Sequence, residues 1–109
     1  MEELMSRLEH VFYLNYFKLV NKTTKGTEFK GERNGEIVYL IPNKTISIVL
    51  DPNTISEELR LKSDGIYHST VLKKFPKRLN NGESKITYGY SFKFDTEREL
   101  NDFLNRYGR

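Results

Sequence analysis

The first twenty residues alternate between apolar and polar positions with a helical period. Apolar residues recur at steps of three and four from Leu4 to Val20, which is the spacing of one face of an α-helix. No proline interrupts this stretch, and the polar run from Asn21 to Gly26 is typical of a helix end followed by a loop. The pattern therefore predicts a helix over residues 2–21.

The next block predicts three strands. Residues 27–33 and 36–41 flank the Asn-Gly pair at 34–35, which best accepts the positive φ angles of a two-residue type I′ turn. Residues 42–44 form a second short turn before the β-branched run 45–50. Together these segments predict a three-stranded antiparallel meander.

The middle of the chain gives shorter patterns. Asp51 is suited to cap a short helix with Pro52 at its first position, so residues 53–61 are expected to form one or two helical turns. Residues 66–72 are expected to form a strand, and the Phe-Pro pair at 75–76 a break.

The last third contains the clearest period-two pattern. Over residues 86–94, apolar residues at even positions alternate with polar residues at odd positions, which predicts a strand with one apolar and one polar face. Thr96 and Glu99 form a capping box that predicts the start of a helix, and Gly108 predicts its end. The apolar face of this helix consists of Leu100, Phe103, Leu104 and Tyr107.

The predicted order of elements is a helix, three strands, a short helix, two strands and a final helix. Helices at both ends of a run of strands are typical of the α+β class. We therefore expect one domain over residues 1–109, in which an antiparallel sheet of about five strands packs against the N-terminal and C-terminal helices.

Composition narrows the class of protein. The chain has 109 residues with seven Tyr, seven Phe and no Cys, which excludes disulfides, thiolate metal sites and a cysteine nucleophile. The acidic start at Glu2 and Glu3 and the lack of an 18-residue apolar run favour a soluble cytoplasmic protein that does not enter a membrane. The abundance of Lys, Asn and Ile, with no Ala, Gln or Trp, favours a bacterial source.

Positive charge is concentrated in the second half of the chain. Residues 60–93 carry eight basic and two acidic side chains, whereas the whole chain has a formal net charge of +3. Six of these cations are candidates for nucleic-acid binding: Lys73, Lys74, Lys77, Arg78, Lys85 and Lys93. A basic surface attracts polyanions by counterion release, and nearby aromatic residues add base stacking. This hypothesis requires that the six cations gather on one exterior side. The alternative is a solvated loop in which only Phe75 packs into the core.

Candidates for catalysis are few. His68 is a candidate general base or anion contact because imidazole titrates near neutral pH; the alternative is a strand histidine whose ring is hydrogen-bonded or solvated. Asp64 with Glu83 and Lys85 matches an acid-x-Lys pattern, in which a carboxylate binds Mg²⁺ and the lysine stabilises charge. With two His and no acidic cluster outside helix faces, we predict no resident metal site, and without a Gly-rich phosphate loop we predict no cofactor.

Three short motifs resemble a known family. They are Leu50-Asp51-Pro52, Glu57-Glu58-Leu59-Arg60 and Gly65-Ile66-Tyr67-His68. With the two strands before them, they are similar to the middle of YjbR/MmcQ-like domains, which are small bacterial proteins. The resemblance covers residues 28–76 and implies an α+β fold, one that has been likened to DNA-binding folds. The family has no agreed catalytic residues, and the tryptophan it usually carries after this region is absent here.

Three functions remain open at this point. The first is a non-enzymatic interaction module with a protein partner or a second copy of itself, because an edge strand and an aromatic strand offer pairing and apolar area. The second is a nucleic-acid-binding accessory protein that uses the six cations. The third is a small hydrolase or nuclease centred on His68, or on Asp64 with Glu83 and Lys85.

Overall fold

The computed structural model describes residues 2–80 and 84–109, with side chains described for 3–79 and 84–109. The described residues form three helices and one antiparallel sheet. The helices are α1 (Glu2–Leu14), α2 (Glu57–Lys62) and α3 (Glu97–Tyr107). The strands are β1 (Phe17–Lys22), β2 (Thr27–Gly31), β3 (Ile37–Ile41), β4 (Ile46–Leu50), β5 (Gly65–His68), β6 (Lys77–Asn80) and β7 (Ser84–Phe94).

Strand β7 is the central element of the sheet. The strand order is β1-β2-β3-β4-β7-β5, and β6 also pairs with β7. The second half of β7 pairs with β4, its first half pairs with β6, and its opposite edge pairs with β5. The predicted α+β class is confirmed, as is the meander β2–β3–β4. The described residues form seven strands rather than about five, because β1 and β6 were not predicted.

One face of the sheet, here called the helix face, packs against α1 and α3. Leu8 and Phe12 of α1 and Leu100 and Leu104 of α3 are almost fully buried there. The sheet contributes Phe17, Phe29, Val38, Leu40, Ile46, Ile48, Leu50 and Phe92 to this main core. The salt bridge between Arg7 Nε and Glu97 Oε2, at 3.0 Å, joins the two helices.

The opposite face of the sheet, here called the segment face, is covered by residues 69–76. Leu72 and Phe75 of this segment pack against Tyr39 and Val49 of the sheet to form a second core. The rings of Phe75 and Tyr39 meet edge to face with centroids 4.9 Å apart. The sheet is therefore buried on both faces.

Burial of the segment face corrects the prediction of a polar face on β7. Thr87, Gly89 and Ser91 alternate with the apolar residues as expected, yet all three are buried. Gly89 has a packing reason: a Cβ there would collide with Val49 Cγ1 and lie 2.7 Å from the Leu50 carbonyl oxygen. Small and hydroxyl side chains on this face look solvent-facing in sequence, but here they leave room for the segment.

The predicted N-terminal helix is wrong beyond residue 14. Asn15 Nδ2 donates 2.8 Å hydrogen bonds to the Val11 carbonyl oxygen and to Asn101 Oδ1, and Tyr16 adopts a left-handed φ of 64°. Since an α-helix cannot continue through a left-handed residue, the chain turns and continues as β1. Both faces of this edge strand are exposed after Phe17, so its apolar residues carry no period-two signal.

Two predicted local details are also wrong. The β2–β3 hairpin has a wider loop than a type I′ turn, because Gly35 has a φ of 73° whereas Asn34 does not adopt a positive φ. Asn34 instead accepts a 2.9 Å hydrogen bond from the Glu36 amide. The short helix α2 is capped by Ser56 rather than Asp51, because the Asp51 carboxylate accepts from the Asn53 amide in a turn.

At the end of the chain the predictions agree with the structure. Thr96 Oγ1 accepts from the Glu99 amide, and Glu99 Oε1 accepts from the Thr96 amide, which completes the predicted capping box. Gly108 is the C-cap of α3 as predicted. Among the described residues, no helix has the length and apolarity needed to cross a membrane.

The close approach at Gly89 gives a first prediction. Gly89→Ala places a methyl group against Val49 and Leu50, so we expect a loss of about 1–3 kcal/mol in the free energy of unfolding, as overpacking usually costs. Gly26→Ala is the matched control, because its Cβ would lie 3.4 Å from the nearest atoms, in ordinary contact. Urea unfolding followed by circular dichroism measures both. Equal stability of the two variants would contradict the packing described for the segment face.

Candidate nucleic-acid interface

Lys73 and Lys74 lie on the segment that covers the sheet. Because Leu72 and Phe75 on either side of them are anchored in the second core, the two lysines between them are exposed. Burial of Phe75 agrees with the alternative given in the sequence analysis, whereas burial of Leu72 was not predicted. The lysines nevertheless differ, since only Lys74 forms an ion pair among the described residues.

Lys74 closes a buried polar network on the segment face. Its Nζ donates to Glu28 Oε2 at 2.8 Å, and the Glu28 side chain is only 6% exposed. The Tyr39 hydroxyl donates to Glu28 Oε1 at 2.9 Å and accepts from the Lys74 backbone amide at 3.1 Å. Burial raises the pKa of the Tyr39 phenol above its usual range, and the hydrogen bond to Glu28 adds to this rise. Lys74 therefore fixes the segment to the sheet.

The register of β6 on β7 divides the next cations between two faces. Lys77 lies opposite Thr87 and Leu79 lies opposite Lys85, so these side chains belong to the segment face. Arg78 lies between them in the strand and pairs with Ile86. Since neighbouring residues of a strand point to opposite faces, Arg78 belongs to the helix face.

Lys93 lies at the far end of β7. It pairs with Ser47 on β4, and its backbone amide donates to Asp64 Oδ2 at 2.8 Å. Eight residues of extended strand separate it from Lys85, which corresponds to about 26 Å at roughly 3.3 Å per residue. Lys93 is therefore remote from the cations around β6 and has an acidic neighbour.

The six candidate cations consequently do not share one exterior side. Three of them lie on the segment face: Lys73, Lys77 and Lys85. Arg78 lies at the same end of the sheet but on the helix face, and Lys93 lies at the other end of β7. Lys74 is paired with Glu28. Among the described residues, no carboxylate lies within ion-pair distance of the other five. The sequence located these cations within one stretch of the chain, but it did not show on which face of the sheet each one lies. That depends on the register of β6 on β7.

Three planar side chains form a row across the helix face beyond the main core. The guanidinium carbon of Arg78 on β6 lies 5.4 Å from the ring centroid of Tyr88 on β7. The ring of His68 on β5 lies 6.0 Å from that of Tyr88, inclined by 33°. We call these three residues the planar row. The sequence left open whether Tyr88 is buried or displayed, and the structure places it half-buried.

His68 is held in this row by the pairing of β5 with β7. Its Nε2 atom is buried and accepts or donates no hydrogen bond with the described residues. At that nitrogen the ring has neither solvent contact nor a hydrogen bond with the described residues. Its neighbours in the row are an aromatic ring and a cation rather than a nucleophile.

The residues considered for a nuclease do not come together. Asp64 lies at the start of β5, where its amide donates to the Ser91 carbonyl oxygen. Lys85 is six strand residues from Ser91, about 20 Å along β7. Glu83 lies outside the described residues. Within residues 2–80 and 84–109, no three His, Asp or Glu side chains are grouped so as to hold a metal ion.

Comparison of the chain with family models, with curated proteins and with solved structures gives no match.

The buried network gives a second prediction. Lys74→Met keeps the aliphatic stem but leaves the buried Glu28 carboxylate without its cation, so we expect a loss of about 1–3 kcal/mol in the free energy of unfolding. Lys73→Met removes the same charge from the adjacent exposed position and is expected to change stability by no more than about 0.5 kcal/mol. Urea unfolding of both variants tests this difference. If Lys73→Met were as destabilising as Lys74→Met, general charge effects rather than the network would govern the segment.

Proposed function

We propose that this protein is a non-enzymatic interaction module whose partner is nucleic acid. The observation that carries the proposal is a set of cations around β6 and the first half of β7 that have no carboxylate of the described residues within ion-pair distance: Lys73, Lys77, Arg78 and Lys85. Lys85 lies on the central strand β7, and Lys77 and Arg78 lie on β6, which pairs with it. Lys73 lies on the segment that Leu72 and Phe75 anchor in the second core. The backbone positions of these cations are therefore set by strand pairing and by the second core.

The hypothesis drawn from the sequence, in which all six cations gather on one exterior side, is wrong. The present proposal is narrower and uses four of them, and the other two have no part in it. The charge of Lys74 is compensated by Glu28, and Lys93 lies beside Asp64 at the other end of β7. The four that remain occupy both faces of a narrow part of the sheet. A flexible polyanion that passes around β6 therefore meets cations on both the segment face and the helix face. Each phosphate contact with them releases condensed counterions.

Charge reversal at the segment face tests the proposal. Lys77→Glu combined with Lys85→Glu is expected to weaken binding of labelled DNA or RNA at least about tenfold at low salt, and to reduce the slope of log affinity against log salt by about 1–2. Fluorescence anisotropy across a salt series measures both quantities.

The matched control is Lys18→Glu with Lys30→Glu. These two exposed lysines pair across β1 and β2, at the opposite edge of the sheet, and their reversal produces the same change in net charge. The control is expected to retain most of the affinity and the full salt slope. Equal losses in the two double variants, or no binding by the wild type at low salt, would contradict the proposal.

A second candidate function, self-association, is favoured by a different surface. Five apolar residues around the edge strand β1 are more than two-fifths exposed: Tyr13, Leu14, Tyr16, Leu19 and Val20. Exposed apolar side chains beside an unpaired strand edge favour pairing with another chain, and we call these five residues the apolar patch. We propose antiparallel addition of β1 from a second copy as the form this association takes.

Sedimentation velocity tests self-association. Leu19→Lys places a charge in the apolar patch and is expected to shift a concentration-dependent dimer towards the monomer. Leu61→Lys is the control, because Leu61 on α2 is 72% exposed and lies outside the patch. A wild-type protein that remains monomeric at high concentration, or a dimer that both substitutions weaken equally, would rule out β1 as the interface.

A further inference from the structure

We infer that the nucleic acid bound by this protein is single-stranded, and that one of its bases stacks on the planar row of Arg78, Tyr88 and His68. This inference rests on the proposed function and adds to it the strand state of the partner. The planar row lies on the helix face, whereas Lys77 and Lys85 lie on the segment face. These lysines can therefore bind phosphate whether or not a base stacks on the planar row.

The position of the planar row favours a single strand over a duplex. The row lies on three neighbouring strands of a sheet rather than on a helix, and the ring of His68 is inclined by 33° to that of Tyr88. A duplex is read by elements that enter its grooves and reach the base edges. In a duplex the faces of the bases are already covered by their neighbours in the stack, whereas an unpaired base offers its face to an aromatic ring.

The chemistry of the row suits a single nucleotide. Tyr88 supplies an aromatic ring, and the residue is half-buried rather than fully enclosed. Arg78 is exposed, and its guanidinium already lies near the ring. A guanidinium in this position stacks on a base or binds the phosphate beside it. The row thus combines the two contacts that a single nucleotide requires.

The division of cations between the two faces also favours a single strand. Lys77, the residue before Arg78, lies on the opposite face of the sheet. A single strand with one base on the planar row can therefore place its phosphates near Arg78 on the helix face and near Lys77 on the segment face, around the edge of β6. A stiff duplex cannot follow such a short path, because its persistence length is about 150 base pairs.

The test compares four labelled probes of equal length, about 12 nucleotides, which is within the site size of single-strand-binding domains. They are a DNA single strand of mixed sequence, an abasic strand with the same phosphodiester backbone, the corresponding duplex, and an RNA strand of the same sequence. Anisotropy titrations at one ionic strength give the affinities, and the DNA and RNA strands distinguish the two sources of single strand. The protein variants are Tyr88→Leu, which removes the ring, and Tyr88→Phe, which keeps it.

We expect the wild type to bind the natural single strand more tightly than the abasic strand. Tyr88→Leu is expected to weaken binding of the natural strand by about five- to a hundredfold, the usual effect of losing one stacked base, and to leave the abasic strand unchanged. Tyr88→Phe is expected to bind like the wild type. Because the chain contains no Trp, its intrinsic emission comes from tyrosine, and Tyr88→Phe should lose part of the quenching that a stacked base causes.

Different results would overturn base stacking on the planar row and nucleic-acid binding as a whole. Equal affinity for natural and abasic strands, a preference for the duplex, or a loss by Tyr88→Leu on both strands would overturn the inference while phosphate binding stands. No binding of any probe at low salt would overturn both. If Tyr88→Leu folds poorly, Tyr88→Phe replaces it in the test. A urea midpoint equal to that of the wild type shows that Tyr88→Phe is folded, and its loss of tyrosine quenching then reports whether a base stacks on Tyr88.

Discussion

The structure depends on the buried carboxylate of Glu28. A charged group with its side chain only 6% exposed must be compensated, because an unpaired charge in the interior is costly. Lys74 and Tyr39 supply that compensation from opposite sides. Since Lys74 belongs to the segment and Tyr39 to the sheet, satisfying one carboxylate fixes the segment across the sheet. The second core under the segment then adds apolar burial, and both faces of the sheet are covered.

Strand β7 pairs with three other strands and lies between the two cores, and this position links the fold to the proposed function. The segment leads directly into β6, so the position of β6 on β7 follows from the anchoring of Phe75 at the end of the segment. The cations around β6 thereby acquire fixed positions. The same pairing brings Arg78 beside Tyr88, so the charged and aromatic parts of the candidate interface share one structural cause.

Local and periodic features were predictable from the sequence. The capping box at Thr96, the meander and the alternation of β7 were all confirmed, because each depends on residues close together in the chain. Strand β1 was missed because an edge strand with two exposed faces has no period-two pattern. The network of Glu28 was missed because its partner Lys74 is 46 residues away. Charge composition located the candidate site, but the faces of its cations depend on register. The resemblance to YjbR/MmcQ-like domains stays a prediction.

Binding of a single strand at the β5–β7 end of the sheet can be measured residue by residue. Isotope-labelled protein is titrated with a DNA single strand, and the backbone amide signals are followed. We expect the shifted signals to be concentrated in residues 66–68, 77–79 and 84–88, on both sides of Tyr88. Shifts concentrated in β1 and β2, or no shifts at low salt, would contradict it.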